Sequence, residues 1–295
     1  MTRNQQVQSN GVALAVREHS DPGPGRPTVV LVHGYPDCQD MWDLVVAALP
    51  LDELHVVTYD VRGAGASGTP SGRRGYRSER LVDDLVAVLD AVLPEGERVH
   101  LVGHDWGSVQ LWDVVAAEPD DPRLRGRIAS FTSISGPSLD HLAHLVRHPE
   151  GREVALRQQR RKSWYVRAFH VPVVPDLVWR HGHRLMGRAM ARRERLGDGH
   201  WGPGLGRDGA NGLNLYRANV LRRLRHPRPL RVRVPVLVVR PVHDHFLGEV
   251  TLDDLDEFCA EHRLVEVGAG HWVTRTHPDR VAELVHDQIR RTAGK

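Results

Sequence analysis

Short, continuously apolar segments recur along the chain and constrain its fold more than any other feature. Residues 28–32 (TVVLV) stop at His33-Gly34, residues 55–59 (HVVTY) stop at Asp60, and residues 99–102 (VHLV) stop at Gly103. A strand with one face in water alternates apolar and polar residues, so runs without alternation predict strands buried on both faces of a parallel sheet. Three further strands are predicted at residues 127–134, 236–239 and 264–267.

Helical patterns lie between the predicted strands. Residues 41–49, 81–92 and 109–117 place apolar residues three and four positions apart, and residues 278–289 begin with a proline, which suits a first helical turn. Strands that alternate with helices predict an α/β fold with a mostly parallel, doubly wound sheet. Near the N-terminus, Asn10 and Gly11 suit the type I′ turn of a β-hairpin.

Residues 138–233 interrupt this alternation. No buried strand is predicted there, and the segment consists of helical or loop-like stretches rich in Arg, Trp and Gly. An α/β sheet accepts such an insertion at a strand end, which is also where ligands bind. We therefore predict a core formed by residues 1–137 and 234–295, with a mainly helical cap, residues 138–233, over the binding site.

Charge is distributed unevenly along the chain. Residues 157–233 hold 19 basic and four acidic residues, whereas the rest of the chain holds 21 basic and 33 acidic ones. The formal net charge of +3 therefore conceals a strongly basic segment within the predicted cap. Two explanations stay open: the arginines pair with acids on the core, or they form a surface for anionic substrates, a lipid surface or an acidic partner.

Composition limits the classes of protein to consider. With 295 residues, 40% of them hydrophobic, the chain is long enough for a full hydrophobic core. Its two cysteines, Cys38 and Cys259, cannot build a disulfide framework, and its polar N-terminus lacks the apolar stretch of a signal peptide. No apolar run approaches the ~20 residues that span a bilayer. We expect a cytoplasmic protein without stable membrane insertion or a nucleic-acid partner, and a homodimer is left open.

The segment GHDWG at residues 103–107 is the sharpest chemical signal. It follows a predicted buried strand and precedes a predicted helix, with Gly103 and Gly107 on either side of Asp105. Such glycines are needed where a tight strand-to-helix turn strains the backbone of a nucleophile. A carboxylate is ionised at neutral pH and needs no base to activate it, so Asp105 is predicted to attack carbon and form an alkyl ester.

An earlier loop is expected to support this nucleophile. The segment HGYPD, residues 33–37, follows a predicted strand, where a loop can present a backbone N–H toward the tight turn. The N–H groups of Tyr35 and Trp106 are therefore predicted to form an oxyanion hole.

A base and an acid occur late in the chain. His271, in the segment GAGHW, follows one predicted strand, and Asp244 follows the strand before it. The chain order Asp105, Asp244, His271 is that of the nucleophile, acid and base of α/β-hydrolases. Asp140, which follows the strand at residues 127–134, is a rival for the acid, although Asp244 is preferred.

Together these segments resemble epoxide hydrolases of the α/β-hydrolase fold. The resemblance covers nearly the whole chain and rests on HGYPD, on DVRGAGAS at residues 60–67, on the turn at Asp105 and on GHW at residues 270–272. The segment FTSISGP at residues 131–137 is similar to the hydrolase half of bacterial two-domain epoxide hydrolase-like proteins, whose reductase-like half is not expected here. The resemblance implies that a small-molecule epoxide becomes a vicinal diol through an ester on Asp105, which water activated by His271 then hydrolyses. It implies no metal and no organic cofactor.

The resemblance also implies two cap tyrosines that hold and protonate the epoxide oxygen. The segments SWYVRAFHVP, residues 163–172, and NLYRAN, residues 214–219, resemble those that carry them, which assigns the two roles to Tyr165 and Tyr216. A phenol can donate a hydrogen bond to an ether oxygen and then a proton to the alkoxide. The substrate pocket is expected to include His33, Pro36, Trp106, Trp164 and Trp272.

Other functions stay open. A haloalkane dehalogenase would use the same nucleophile with Trp106 as a halide donor, although no second donor is evident and the cap tyrosines would have no role. A binding protein without turnover would keep the pocket, but the intact triad argues against it. A serine esterase has little support, because Ser108 lies beyond the second glycine of the tight turn.

Overall fold

The computed structural model describes residues 2–197 and 199–293 and contains an eight-stranded sheet. The strands are β1 (Arg3–Ser9), β2 (Val12–Glu18), β3 (Thr28–Val32), β4 (His55–Tyr59), β5 (Val99–His104), β6 (Ile128–Ile134), β7 (Val236–Pro241) and β8 (His262–Val267). They lie in the order β1-β2-β4-β3-β5-β6-β7-β8. The pairs β1–β2 and β2–β4 are antiparallel, and all pairs from β4 to β8 are parallel.

The central strands are buried on both faces. Every residue of β3, β4, β5 and β6 is buried, which is why their sequences show no alternation. The predictions for β3 and β4 match the observed bounds to the residue. The hairpin is also confirmed, with the positive φ of Asn10 (48°) and Gly11 (75°) that a type I′ turn needs. The predicted α/β fold with a mostly parallel sheet is therefore correct.

Helices cover both faces of the sheet and its carboxyl edge. They are α1 (Asp43–Ala48), α2 (Ser78–Val92), α3 (Trp106–Ala117), α4 (Leu139–Arg147), α5 (Glu153–Lys162), α6 (Trp164–Phe169), α7 (Val174–Glu194), α8 (Leu205–Arg225), α9 (Val273–Thr276) and α10 (Pro278–Thr292). The buried side chains of α2 and α3 join one hydrophobic cluster, and those of α1 and α10 join another. These two clusters form the layers that sandwich the sheet.

Helices α4 to α8 connect β6 to β7, within the segment predicted as the cap. Helix α8 attaches them to the core, because Leu213 and Tyr216 belong to the same hydrophobic cluster as α2 and α3. Its Asn219 also accepts a hydrogen bond from the N–H of Ser78 at 2.9 Å and donates one to the carbonyl of Tyr76 at 2.8 Å. Across the described residues, no helix is long and apolar enough to cross a membrane.

Some cap arginines pair with acids of the core, as one of the two explanations of the charge expects. Arg222 lies 2.8 Å from Glu79, and Arg223 lies 2.8 Å from Asp113. Both arginines belong to α8, which faces the core. Pairing with core acids therefore accounts for Arg222 and Arg223.

Candidate active site

Loops from four strands converge at the carboxyl edge of the sheet. Asp105 follows β5, Asp244 lies three residues beyond β7 and His271 lies four residues beyond β8. The loop that contains Tyr35 follows β3, the neighbour of β5. Parallel strands place such loops side by side, so the fold brings together four segments that are distant in sequence.

The backbone at Asp105 is strained and tightly enclosed. Its φ of 50° and ψ of −121° are unfavourable for a residue with a side chain. A Cβ atom on Gly107 would lie 2.0 Å from the carbonyl oxygen of Val32, and one on Gly103 would lie 2.6 Å from the backbone of Gly107. Both glycines are therefore required for β5 to turn directly into α3, and this turn presents the carboxylate of Asp105 at the sheet edge.

The two oxygens of the Asp105 carboxylate have different neighbours. Oδ1 accepts a hydrogen bond of 2.7 Å from the N–H of Tyr35. Oδ2 lies 3.6 Å from Nε2 of His271. Trp106 follows Asp105 directly and is the first residue of α3, so its N–H has no acceptor within the helix. The predicted oxyanion groups, nucleophile and base thus lie within one small volume.

Asp244 contacts the imidazole of His271. Its Oδ2 lies 2.8 Å from Nδ1 of His271, while Oδ1 accepts hydrogen bonds from the N–H groups of Phe246 at 2.7 Å and Leu247 at 3.0 Å. Burial alone would raise the pKa of Asp244, but the interaction with His271 lowers it below its ordinary value. Burial opposes the charged form of His271, yet Asp244 and Asp105 outweigh it and raise the pKa of His271 well above its ordinary value.

Asp140, the rival for the acid, binds arginine instead. Its Oδ2 accepts a hydrogen bond of 2.7 Å from Arg223, and its Oδ1 accepts one of 2.9 Å from the N–H of Arg228. Burial raises the pKa of Asp140 to about 7 even though Arg223 opposes the shift. Asp244 is therefore the carboxylate that orients His271 in this structure.

A cavity of ≈ 590 Å³ lies over Asp105, between the core and the cap. Its wall includes Tyr165 of α6, Tyr216 of α8 and Phe246. Aliphatic side chains make up much of the remaining wall, among them Val109, Leu139, Leu142, Leu156, Val220 and Leu224. A concave, largely apolar site with a few convergent polar groups is typical of a small-molecule site.

The two cap tyrosines lie close together over Asp105, the predicted nucleophile. Both line the cavity, and their ring centroids are 6.0 Å apart. The ring of Tyr216 also packs edge-on against Trp106, with centroids 4.9 Å apart, and against Tyr35 at 5.3 Å. Burial, together with the charge of Asp105, raises the pKa of both tyrosines above the ordinary value, so both hydroxyls keep their protons.

The lining of this cavity corrects the prediction of the pocket residues. Among the described residues, Trp106 lines it, but the other four predicted residues do not. Trp164 is 67% exposed on the outer surface of the cap. His33 accepts a hydrogen bond of 2.8 Å from the N–H of Val61, and His33 and Pro36 line a different void of ≈ 20 Å³. Trp272 is buried and donates to Asp37 at 2.7 Å.

Glu194, the last residue of α7, is a contact that the sequence did not reveal. Its Oε2 accepts a hydrogen bond of 2.9 Å from the N–H of His271. A Cβ on Gly270 would lie 2.4 Å from the same oxygen, so only glycine allows this approach. Glu194 follows two arginines at the end of a polar helix, a pattern typical of a solvated residue, and no sequence signal distinguishes it.

Asp37 forms a second polar contact between the core and the cap. It accepts hydrogen bonds from Trp272 of the core at 2.7 Å, Trp201 of the cap at 2.8 Å and His200 of the cap at 3.1 Å. Burial alone would raise the pKa of Asp37, but these hydrogen bonds lower it to about 2. The segment HGYPD indicated a loop beside the nucleophile, but not this bond to the cap.

The loop that holds Asp244 is also bound by the cap. Gln159 of α5 donates to the carbonyl of Phe246 at 2.9 Å and accepts from the N–H of Gly248 at 2.6 Å. Lys162 donates to the carbonyl of Asp244 at 3.0 Å. The cap therefore contacts the loops of both the acid and the base.

The family profile described as the alpha/beta hydrolase fold matches residues 27–278. The chain belongs to this family. Among curated relatives, "Probable oxidoreductase EphD" of Mycobacterium tuberculosis is 36% identical over 293 residues, which cover 94% of this chain and 48% of the relative. "Epoxide hydrolase A" of the same organism is 38% identical over 133 residues, 45% of this chain and 38% of that protein. The chain thus spans about half the length, or less, of these relatives.

Solved structures of this α/β-hydrolase fold superpose over almost the whole chain. Epoxide hydrolase A from Mycobacterium thermoresistibile has a TM-score of 0.74 and 26% identity, covering 98% of both chains. An epoxide hydrolase from Bacillus megaterium in complex with an inhibitor has a TM-score of 0.77 and 20% identity, covering 97% of this chain and 100% of the other. At 20% identity, the similarity to the Bacillus megaterium structure shows a shared fold.

Proposed function

We propose that this chain is an epoxide hydrolase that converts an apolar or mid-sized epoxide to a vicinal diol. The observation that carries the proposal is that Asp105, Tyr165 and Tyr216 all line one largely apolar cavity. Relatives named epoxide hydrolase support the same class of reaction. A cavity of ≈ 590 Å³ lies within the usual size range of small-molecule sites.

In the first stage, Oδ2 of Asp105 attacks an epoxide carbon. A new carbon–oxygen bond forms, the ring carbon–oxygen bond breaks and its electron pair goes to the ring oxygen. A proton from Tyr165 or Tyr216, which both line the cavity, neutralises that oxygen and leaves a tyrosinate. An alkoxide is more basic than a phenolate, so the raised pKa of the tyrosines does not prevent the transfer.

In the second stage, water hydrolyses the ester. Oδ1 of Asp105 becomes the ester carbonyl oxygen, and it already accepts the N–H of Tyr35 at 2.7 Å. His271, oriented through Nδ1 by Asp244, takes a proton from water at Nε2, and the resulting hydroxide attacks Cγ of Asp105. The N–H groups of Tyr35 and Trp106 stabilise the negative charge that develops on Oδ1. The tetrahedral intermediate releases the diol with the proton held by His271, and the second proton of the water returns to the tyrosinate.

A haloalkane dehalogenase is the second candidate, because Trp106 lies on the cavity wall beside the nucleophile. Halide release gives no role to Tyr165 and Tyr216, which line the same cavity, whereas epoxide opening needs proton donors there. The two tyrosines therefore favour the epoxide hydrolase.

A parallel screen of epoxides and matched haloalkanes tests the proposal. Diol formation and halide release are measured for the wild type and for Asp105→Ala, which provides the background. We expect diol from the wild type and no halide above background. Halide release without diol would favour the dehalogenase, and a ligand that binds but remains intact after long incubation would favour a binding protein.

A further inference from the structure

The outer side of α7 and the turn before it expose a concentration of aliphatic side chains. Thirteen large hydrophobic side chains are exposed among the described residues, and six of them lie between residues 171 and 185. Leu185 is 75% exposed and Val173 is 63% exposed. Single exposed hydrophobic residues are ordinary, but a contiguous group marks a binding surface. The six are Val171, Val173, Val174, Leu177, Val178 and Leu185.

The helical repeat arranges four of these residues as a stripe. Val174, Leu177, Val178 and Leu185 lie at positions i, i+3, i+4 and i+11 of α7, which share one side of a helix with 3.6 residues per turn. The opposite side of α7 contains the buried Trp179 and packs along α8. The stripe therefore points away from the rest of the protein, and we call it the α7 stripe.

Arginines border the α7 stripe. Arg184, Arg188 and Arg192 are exposed, and together with Arg195 they line a surface cavity of ≈ 610 Å³ beside the stripe. Within residues 2–197 and 199–293, no ion pair is found for Arg184, Arg188 or Arg192. Arg222 and Arg223 of α8 differ, since each lies 2.8 Å from a core acid, Glu79 and Asp113 respectively. Pairing with the core therefore leaves the charge of α7 unexplained.

We infer that the outer side of α7 docks on the surface of an anionic phospholipid bilayer. A bilayer interface accepts aliphatic side chains at the acyl boundary and guanidinium groups at the phosphates of the same leaflet. The α7 stripe supplies the aliphatic side chains, and the arginines that line the surface cavity supply the guanidinium groups. The inference is independent of the proposed hydrolase reaction.

Other partners fit these observations less well. Two copies of this chain would repel each other through a surface with several unpaired arginines. A nucleic acid would engage the arginines but give the exposed leucines and valines no apolar environment. An acidic protein would need an apolar patch inside its acidic surface, whereas every anionic bilayer combines the two properties.

Vesicle sedimentation with the purified protein tests the inference. Vesicles of phosphatidylcholine alone are compared with vesicles that also contain phosphatidylglycerol, each at low and at high salt. We expect binding to the anionic vesicles, little binding to the neutral ones, and weaker binding at high salt because salt screens the arginines. Absence of binding to anionic vesicles at low salt would overturn the inference.

Two double variants locate the surface, and two single-site controls accompany them. Leu177→Ser with Leu185→Ser removes the aliphatic contribution, and Arg188→Glu with Arg192→Glu reverses the charge; each is expected to weaken binding by about tenfold or more. The controls Leu264→Ser on β8 and Arg290→Glu on α10 change exposed residues elsewhere and are expected to bind as the wild type does. Thermal unfolding midpoints show that each variant is folded.

Three outcomes of the variant experiment would contradict the inference. If only the charge variant weakens binding, the arginines attract anions without apolar insertion. If the Arg290→Glu control weakens binding as much as the α7 variant does, net charge explains the binding. If sedimentation equilibrium finds a dimer that the leucine variant dissociates, the surface is an interface between two copies.

Discussion

The core and the cap hold their reactive groups in different ways. In the core, Asp105 is fixed by the backbone, because two glycines allow β5 to turn into α3 at a strained φ of 50°. In the cap, Tyr165 and Tyr216 are held by side-chain contacts, with their rings 6.0 Å apart at near-perpendicular angles. Under the proposed function, the core therefore holds the nucleophile and the base, and the cap shapes the cavity and supplies protons.

The largest contrast is expected between a carboxylate bound to the base and one bound to cap arginines. Asp244→Asn should lower turnover by about 10³–10⁴-fold, because His271 loses the acceptor that fixes its tautomer and stabilises its charge. Asp140→Asn should leave turnover nearly unchanged and lower the free energy of unfolding by about 1–3 kcal/mol, since Arg223 loses a charged acceptor. Steady-state kinetics and urea unfolding measure both effects. Equal losses of turnover would contradict the assignment of the acid.

The contribution of the cap to the chemistry is tested by removing its hydroxyls. Tyr165→Phe and Tyr216→Phe should each slow ester formation by about tenfold, and the double variant by about 10²-fold or more, because the opening oxygen loses its proton donors. Tyr59→Phe is the matched control, since Tyr59 is a buried core tyrosine whose hydroxyl has no hydrogen-bond partner among the residues that the structure describes. Single-turnover measurements separate this step from ester hydrolysis. A double variant as fast as the control would limit the cap to a role in shape.

A smaller effect is expected where the cap contacts the base loop. Glu194→Ala should slow ester hydrolysis by about tenfold and leave ester formation unchanged, because the N–H of His271 loses its acceptor and the imidazole shifts. Glu194→Gln should restore most of the rate, since its amide oxygen can accept the same hydrogen bond. A variant that slows both steps equally would indicate general destabilisation instead of positioning.

The smallest effect is a change in the pKa of His271 during the reaction. In the free protein, Asp244 and Asp105 outweigh the effect of burial and raise this pKa. Esterification removes the charge of Asp105, so the pKa of His271 should fall in the ester. Because the neutral imidazole is the base, ester hydrolysis should accelerate as pH rises, with an apparent pKa below that of His271 in the free protein. NMR titration of the free protein and the pH dependence of ester decay provide the two values; an equal or higher value in the ester would contradict the charge argument.

Much of the core could be predicted because its constraints are local. Burial on both faces removes the alternation from β3 and β4, which makes these strands recognisable over a few residues. The tight turn at Asp105 requires small residues at fixed positions, so Gly103 and Gly107 reveal it. Parallel strands then place Asp244 and His271 at the same edge without further information.

The details of the cap depend on contacts between distant residues, which a single sequence does not encode locally. Glu194 meets His271 only because α7 ends above the base loop, and Trp201 meets Asp37 across 164 positions. For Trp164 the sequence predicted a pocket residue that the structure places elsewhere. It is next to Tyr165 in the predicted site segment, but its side chain is exposed on α6. Residue type and proximity in sequence were insufficient there, because the orientation of a short helix is set by tertiary packing.

The intact mass of the His271→Gln variant tests the covalent role of Asp105 most directly. The variant is incubated with an epoxide that the wild type converts to its diol. Because it keeps the nucleophile but lacks the base, we predict a mass increase equal to the mass of the epoxide. Peptide mapping should locate this increase at Asp105, and the double variant that also contains Asp105→Ala should not show it. An unchanged mass while the wild type forms diol would show that the reaction proceeds without this ester. No mass increase together with no diol from the wild type would contradict the proposed function itself.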